Sequence, residues 1–246
     1  MPRPAVTVTN EQGASPFVLI CEHASNWLPP EYKGLGLTAT DLARHIAWDI
    51  GAATVARRLS TLLDAALVAA GASRLLIDLN RPTYAVTSIP ELSEATVIPG
   101  NLDLTDAERH HRTATWFEPF QTRLARLLDA RQAVQKPTIL IAVHSFTPVF
   151  LAQTRPWRAG VLYRRSQAFG GALVAALGGD AGGIAHNQPY QIDDASDYTI
   201  PVHGEARGLD AVLVELRQDL IATGKGAAHW ADRLAGALRQ CGKVSD

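Results

Sequence analysis

The sequence has few of the features that mark several large classes of protein. Its two cysteines, Cys21 and Cys241, are too few for a disulfide framework and are typical of a reduced, cytoplasmic chain. The 23 Lys and Arg are balanced by 24 Asp and Glu, which excludes the basic surplus of most nucleic-acid binders. No apolar run approaches the ~18 residues that a membrane helix needs, and none near the start has signal-peptide length. We therefore expect a cytoplasmic protein whose partners are small molecules, with no nucleic-acid or membrane partner.

Apolar residues make up 47% of the 246 residues, which is enough for one large buried core. No internal repeat or linker divides the chain, so we expect a single domain over residues 1–246. Alternating strands and helices predict an α/β fold of three layers, with a mostly parallel or mixed sheet covered by helices on both faces. Capping boxes at Thr38 and Thr105 mark the starts of two helices.

The predicted strands span residues 16–21, 65–71, 74–80, 138–143, 159–164 and 210–216. The predicted helices span residues 38–63, 105 onward with a kink at Pro119, 166–177 and 227–240. The loop over residues 178–208 is long enough to act as a lid over a site.

Polar residues with metal or acid-base chemistry follow several of the predicted strands. They are Glu22-His23, Asp78-Asn80-Arg81, His144-Ser145 and Glu215-Arg217. In α/β sheets ligands bind at the carboxyl ends of the strands, so these groups are expected to converge. A single histidine there is more often a packed or solvated side chain than a ligand. Two histidines at two strand ends favour a metal site, because imidazoles meeting in a cleft commonly bind zinc.

A catalytic zinc site typically has three protein ligands, and the third has two possible sources in this sequence. Asp49 lies on or beside the apolar face of the helix predicted over 38–63, where an unpaired charge is costly. It is either a metal ligand, or the partner of an arginine or a helix-capping residue. Glu22 is the competing ligand, although successive residues of a strand point to opposite faces and Glu22 adjoins His23.

A carboxylate and several cationic groups complete the predicted site. Glu215 follows four apolar residues, and a glutamate beside a metal can accept a proton from water and pass it to a leaving amine. The alternative is a surface ion pair with Arg217. Arg74, Asn80 and Arg81 can bind a substrate carboxylate or face a developing oxyanion, whereas the alternative for both arginines is an ion pair with Asp78.

Seven motifs in this order resemble the N-formylglutamate amidohydrolase family, from residue 17 to about residue 221. They are LICEHASNWLP, HIAWDIGA, SRLLIDLNRP, VIPGN, AVHSFTP, NQPY and VELRQDLI. That family is similar to zinc-dependent exopeptidases and amidases. The resemblance therefore implies a zinc-exopeptidase-like (phosphorylase/hydrolase-like) fold and one Zn²⁺ ion per chain.

The resemblance also implies roles for individual residues. His23 and His144 would be zinc ligands, Glu215 the general acid/base, and Asn80 with Arg81 the substrate clamp. The residue types considered above, and not the resemblance, make Arg74 the expected catalytic cation. The carboxypeptidase pattern has its carboxylate ligand where this chain has Asn26, whereas zinc-dependent cell-wall amidases take that ligand from the following helix, which favours Asp49. The residues implied in substrate binding are Asn80, Arg81, Arg112, Asn187, Tyr190 and His203. For His203 the equal alternative is a solvated loop histidine.

The activity expected from the resemblance is hydrolysis of a linear amide in a small acidic N-acyl substrate, N-formylglutamate or a close relative. One alternative is a peptide or cell-wall amidase of the carboxypeptidase type. Another is a non-catalytic domain that binds small acids or a metal, although such a domain has no need of the general base Glu215.

Overall fold

A mixed seven-stranded sheet forms the centre of the protein in the computed structural model, which describes residues 3–242. The order across this sheet is β1-β3-β2-β6-β11-β9-β10, and two small hairpins, β4-β5 and β7-β8, stand apart from it. The strands are β1 (Val6–Thr9), β2 (Phe17–Cys21), β3 (Ala66–Ala70), β4 (Leu92–Ser93), β5 (Thr96–Val97), β6 (Ile139–Phe146), β7 (Val149–Phe150), β8 (Gln153–Thr154), β9 (Ala159–Leu162), β10 (Ile184–His186) and β11 (Asp210–Arg217).

The four central strands β3, β2, β6 and β11 are parallel, while β1 and β9 run antiparallel to their neighbours β3 and β11. Both β2 and β6 are buried along their whole length, which explains their continuous apolar character. The carboxyl ends of these central strands meet at one edge of the sheet.

Helices cover both faces of the sheet, which confirms the predicted three-layer α/β fold. The crossovers from β2 to β3 and from β3 to β6 run in opposite directions along the sheet, so their helices lie on opposite faces. α2, α5 and α6 pack together on one face. The helices are α1 (Ala39–Leu42), α2 (Ala52–Leu63), α3 (Asp106–Arg112), α4 (Glu118–Ala133), α5 (Gln167–Ala176) and α6 (Gly224–Cys241). In the described part of the chain, none of them has the length and apolar content needed to cross a bilayer.

The prediction of a single helix over residues 38–63 is wrong for the middle of that range. It begins at Thr38 with the predicted capping box, but α1 ends after one turn and α2 starts only at Ala52. Gly51 has φ 83°, and a Cβ at this position would lie 2.4 Å from the Ile221 carbonyl oxygen. Since this left-handed conformation suits glycine and interrupts the helix, Asp49 lies in an irregular segment just before α2 rather than on a helix.

The strand predicted over residues 74–80 does not form. The run Leu75-Leu76-Ile77 is buried, as an apolar run should be, but it forms turns after β3. Side chains rather than a neighbouring strand satisfy its carbonyl groups: Asn101 donates to Leu75 and Arg112 donates to Leu76. Burial alone does not distinguish such a segment from a strand, because both require apolar residues.

The helix predicted from Thr105 onward does form, with a distortion near the expected kink. Thr105 caps α3, and a π-helical turn over Thr113–Phe117 joins α3 to α4. Pro119 has no N–H to donate to the preceding turn, which accounts for the change of hydrogen bonding there. The predicted loop over 178–208 contains β10, which like β1 was not predicted; both are short strands at the edges of the sheet.

Candidate metal centre and active site

The ends of three adjacent strands bring the predicted chemical groups together. His23 follows β2, whereas His144 lies within β6 and Glu215 within β11. His144 and Glu215 are direct partners in the parallel pairing of β6 and β11, so their side chains point to the same face of the sheet. All three residues are buried, with exposed fractions of 3–5%.

His23, Asp49 and His144 form a cluster that could hold a metal ion. Each offers one donor atom, and these atoms all lie within 4.8 Å of one another. The Nδ1 atom of His144 is 2.9 Å from the Asp49 carboxylate, and Nδ1 of His23 is 3.4 Å from it. The two imidazole rings are perpendicular, with centroids 4.7 Å apart. Both Nδ1 atoms therefore face the same carboxylate.

The second ring nitrogen of each histidine also meets a carboxylate. Nε2 of His23 is 2.8 Å from Asp78, and Nε2 of His144 is 3.0 Å from Glu22. Metal-ligating histidines almost always have such a partner, which fixes the tautomer and the ring orientation. The residues present thus fit a metal. Glu22 contacts Nε2 of His144, whereas Asp49 contacts Nδ1 of both His144 and His23. This arrangement favours Asp49 over Glu22 as the third ligand.

The backbone around Asp49 holds its carboxylate in place. Its N–H donates to the His23 carbonyl at 3.0 Å, and its Oδ2 accepts from the Ser145 N–H at 3.1 Å. Nη1 of Arg74 lies 3.5 Å from the other carboxylate oxygen. The irregular segment before α2 is therefore tied directly to the ends of β2 and β6.

The cluster has more negative than positive groups, which a dication would balance. Burial works to lower the pKa of His144, but the charge of Glu22 and the hydrogen bond that His144 donates to Asp49 hold that pKa well above its usual value. Burial likewise opposes ionisation of Asp49, yet the two histidines keep its pKa below the usual range. In the protein alone, imidazolium protons supply the positive charge; a bound dication would supply it instead and leave the histidines neutral, as ligands must be.

Glu215 has the properties of a group that exchanges protons near neutral pH. Burial raises the pKa of Glu215 to about 7, with the charge of Asp49 adding to the effect and that of His144 opposing it. Its Oε2 is buried and has no hydrogen-bond partner among the described residues. A general acid/base works best when its pKa lies close to the operating pH.

The predicted cations lie beside this cluster, but much of their hydrogen-bonding capacity is already used. Arg74 donates to Asp78 from Nε at 3.0 Å and from Nη2 at 2.6 Å. Arg81 donates to the Ser196 carbonyl, and its Nε lies 4.0 Å from Asp78. Asp78 therefore joins both arginines to His23. From sequence it was interpreted only as an ion-pair partner, and nothing in the motif indicates the contact with His23.

Asn80, predicted to bind substrate, lines the cleft and also uses its side chain to hold a loop. Its Nδ2 donates to Asp197 at 3.1 Å, and its Oδ1 accepts from the N–H groups of Tyr198 at 3.2 Å and Thr199 at 2.9 Å. Its backbone N–H also donates to Asp78. In this arrangement Asn80 fixes one wall of the cleft beside Arg81.

These groups line a cleft with a volume of about 470 Å³. The metal cluster and Glu215 form its inner end, whereas the outer walls come from the hairpins and from the segment after β10. Tyr190 lines this outer part, as predicted for a substrate contact. Other lining residues are His45, Thr87, Leu92, Glu94, Phe150, Leu162, Ile192 and Leu213.

Three residues predicted to bind substrate lie outside this lining. Arg112 is only 1% exposed and donates to Asn101 at 2.7 Å and to two backbone carbonyls. Asn187 accepts from the Tyr163 N–H at 2.9 Å. His203 is buried, and its Nε2 lies 2.8 Å from the Gln121 side chain. Their polar groups contact other parts of the protein, and their assignment to substrate binding stays a prediction.

Comparisons with known proteins agree with the resemblance seen in the sequence. The family model described as N-formylglutamate amidohydrolase matches residues 15–222. The structure of gene product Atu2144 from Agrobacterium tumefaciens is 36% identical and covers 99% of this chain and 97% of that chain, with a TM-score of 0.95. That of N-formylglutamate amidohydrolase from Ralstonia eutropha is 16% identical, covers 97% of both chains and has a TM-score of 0.63, which shows a shared fold. A search of curated proteins found no significant match.

Proposed function

Because the chain belongs to the N-formylglutamate amidohydrolase family, we propose that it hydrolyses the linear amide of a small acidic N-acyl amino acid, N-formylglutamate or a close relative. Family membership supports amide hydrolysis in general. The choice of substrate rests on the family's description and on the arginines of the cleft. The observation that carries the mechanism is the convergence of His23, Asp49, His144 and Glu215 at the ends of adjacent strands.

We infer that the metal is Zn²⁺ and that His23, Asp49 and His144 would hold it. Nitrogen and carboxylate donors in this number suit a catalytic zinc site, which keeps one position open. When bound, zinc polarises a carbonyl group and lowers the pKa of water in the site to about 7. Asp78 and Glu22 keep the two imidazole rings oriented toward Asp49.

The chain's own residues then move the protons and position the substrate. Glu215 accepts a proton from the attacking water and delivers it to the amide nitrogen as the C–N bond breaks, releasing a carboxylic acid and an amine. Arg74 lines the cleft beside Asp49 and faces the developing oxyanion. Arg81 binds the substrate carboxylate next to the scissile amide.

The direct test combines metal content with product release. Purified protein is expected to contain about one zinc per chain and to release formate from N-formyl-L-glutamate. Chelation should abolish the activity, and zinc should restore it, whereas Mg²⁺ should not because it prefers oxygen ligands. Full activity in metal-free protein would refute the zinc mechanism, and no hydrolysis of any compound in a panel of N-acyl amino acids would refute the substrate class.

The openness of the cleft favours a second candidate, hydrolysis of a peptide or cell-wall amide. Leu92 and Tyr190 line the cleft and are 58% and 44% exposed, so the outer part has room for groups larger than formyl. Comparison of kcat/KM for N-formylglutamate with that for short acidic peptides distinguishes the two. A preference for peptides would favour the second candidate.

A further inference from the structure

The two sides of the cleft differ in charge. Arg74, Asp78 and Arg81 belong to the segment after β3, next to the metal cluster at the ends of β2 and β6. On the other side of the cluster, the described lining residues from β9 and from residues 187–192 carry no charge; they are Leu162, Tyr190, Gln191 and Ile192. Glu215 lies between the two sides, because β11 is placed between β6 and β9.

Two leucines continue the cleft beyond Glu215. Leu213 lies two residues before Glu215 on β11, so both side chains point to the same face of the sheet. Leu162 on β9 is the direct antiparallel partner of Leu213, and the side chains of such a pair lie next to each other. Both leucines line the cleft, although Leu213 is only 4% exposed and Leu162 only 2%. The cleft therefore extends from Glu215 along β11 by about 7 Å, the rise of two strand residues.

The chain after β10 covers this extension. Gly160 is the direct partner of Glu215 in the pairing of β9 with β11, and a Cβ at Gly160 would clash with the carbonyl oxygen of Gln188. The segment after β10 therefore passes over β9 on the face of the sheet to which Glu215 points. Tyr190 and Ile192 follow in the same segment and line the cleft, and Ile192 packs against the main core. The apolar arm, as we call this extension, is formed by Leu162, Leu213, Tyr190 and Ile192.

The apolar arm is closed at its far end. Ala211 lies one row beyond Leu213 on the same face of β11. A Cβ at Gly204 would clash with that of Ala211, so the π-helical turn over Thr199–Gly204 packs directly on this row. Ala211 is 1% exposed and is not among the described residues that line the cleft. The arm thus has room for an apolar group of limited length.

The proposed reaction geometry directs the acyl group of the substrate toward this arm. Arg81, the proposed partner of the substrate carboxylate, follows β3, and the sheet order puts β2 and β6 between β3 and the strand of Glu215. In an N-acyl amino acid the carboxylate and the acyl chain lie on opposite sides of the scissile amide. With the carboxylate at Arg81 and the amide at the metal cluster, the acyl chain extends toward β11 and β9. A formyl group has only a hydrogen atom in this direction, whereas an alkyl chain buries its surface against the arm.

We propose that the apolar arm binds the acyl chain of the substrate, so that the protein prefers N-acyl amino acids with a straight acyl chain of several carbons over N-formyl compounds. This specificity rests on the proposed function of the cleft. The bond changes are those given above: the C–N bond breaks, the hydroxyl of water joins the acyl carbon, and the proton goes to the amine nitrogen. The arm adds binding energy for the acyl group and takes no part in these steps.

The first test measures kcat/KM for the formyl, acetyl, butanoyl, hexanoyl and dodecanoyl derivatives of L-glutamate. The value should rise from formyl to hexanoyl by about 4-fold for each methylene group that the arm buries. It should fall again for dodecanoyl, because the turn on Ala211 closes the arm. A fall from formyl onward, no dependence on chain length, or a continued rise to dodecanoyl would overturn the proposal. So would a higher value for N-formyl-L-leucine than for N-formyl-L-glutamate, which would put the amino-acid side chain in the arm.

The second test narrows the arm. Leu162→Phe should lower the ratio of kcat/KM for hexanoyl to that for formyl by about 10-fold, the loss of roughly two buried methylene groups. Leu216→Phe is the matched control, since Leu216 lies three residues after Leu213, on the opposite face of β11 and outside the cleft lining. Ile192→Asn, in a half-buried loop position, tests the arm without enlarging a core side chain and should also lower the ratio. Val202→Asn, outside the lining, is its control.

An unchanged ratio in both Leu162→Phe and Ile192→Asn would overturn the assignment of the arm. If wild type hydrolyses none of the compounds, the proposed function fails and the arm is decided by calorimetry with N-hexanoyl-L-glutamate and N-formyl-L-glutamate. Tighter binding of the hexanoyl compound to wild type and to Leu216→Phe, lost in Leu162→Phe and Ile192→Asn, would support the arm. Equal binding of the two compounds to wild type, or no binding of either, would overturn it.

Discussion

The inner and outer parts of the cleft are built in opposite ways. At the inner end, His23, Asp49, His144 and their carboxylate partners are almost fully buried and contact one another at the ends of central strands. The outer walls are hairpins and irregular segments with exposed apolar side chains such as Leu92. The sheet thus holds the chemical groups rigidly, and the loops present the surface that meets the rest of the substrate.

Loss of a proposed metal ligand should break the inner end completely. In His144→Ala, one of the three proposed donors is gone, and the buried Glu22 and Asp49 lose a partner. Zinc content should fall from about one per chain to nearly none, and the activity should disappear with it. Elemental analysis of the two proteins side by side is the measurement. Full zinc content in the variant would place the metal elsewhere.

Removal of the general acid/base should separate catalysis from metal binding. Glu215→Gln keeps the shape of the side chain but cannot accept the proton, so kcat should fall by about 10²- to 10⁴-fold. Zinc content should stay at the wild-type level, because Glu215 is outside the cluster of donor atoms. Near wild-type turnover by the zinc-loaded variant would exclude this role.

The carboxylates behind the histidines should affect the metal more weakly. In Asp78→Asn, zinc affinity should fall by about 10- to 100-fold, the range for partners of metal-ligating histidines. Glu22→Gln should also lower the zinc affinity, but by less than Asp78→Asn. The effect of Asp78 is larger because Asp78 also neutralises Arg74, which lies 3.5 Å from Asp49. Competition with a zinc chelator measures both affinities. Asp232→Asn, in an exposed ion pair with Arg58, is the control and should leave the affinity unchanged.

The smallest effect on activity is expected for His203, which lies behind the cleft. Burial, together with the charge of Arg207, lowers the pKa of His203 to about 4, against about 6.5 in the unfolded chain. Between pH 6.5 and pH 4 only the unfolded state binds the additional proton. The stability that comes from burying neutral His203 is therefore complete above pH 6.5 and is lost as the pH falls toward 4. The loss is at most about 3 kcal/mol of the free energy of unfolding.

Urea unfolding between pH 4 and 7 measures this contribution. His203→Gln should flatten the pH dependence of stability and leave kcat/KM near that of wild type, whereas His229→Gln, an exposed histidine, should change neither. A large rise in KM for His203→Gln alone would support the prediction that His203 contacts substrate.

Several features could be predicted because their signals are local. The continuous apolar runs of β2 and β6 and the capping box at Thr38 predict their elements directly. The prediction over 38–63 missed the break at Gly51, because the apolar spacing continues through it and the close packing of Ile221 against Gly51 is a long-range contact.

The sequence by itself determined the α/β fold, the family and the presence of His23, His144 and Glu215 beside strand ends. Only the tertiary structure decided that Asp49 faces both Nδ1 atoms and that Asn80 holds the 197–199 loop. The physical reason is that apolar periodicity and caps depend on neighbours along the chain. The partner of a buried polar group, in contrast, depends on which distant loops the packed sheet brings to it.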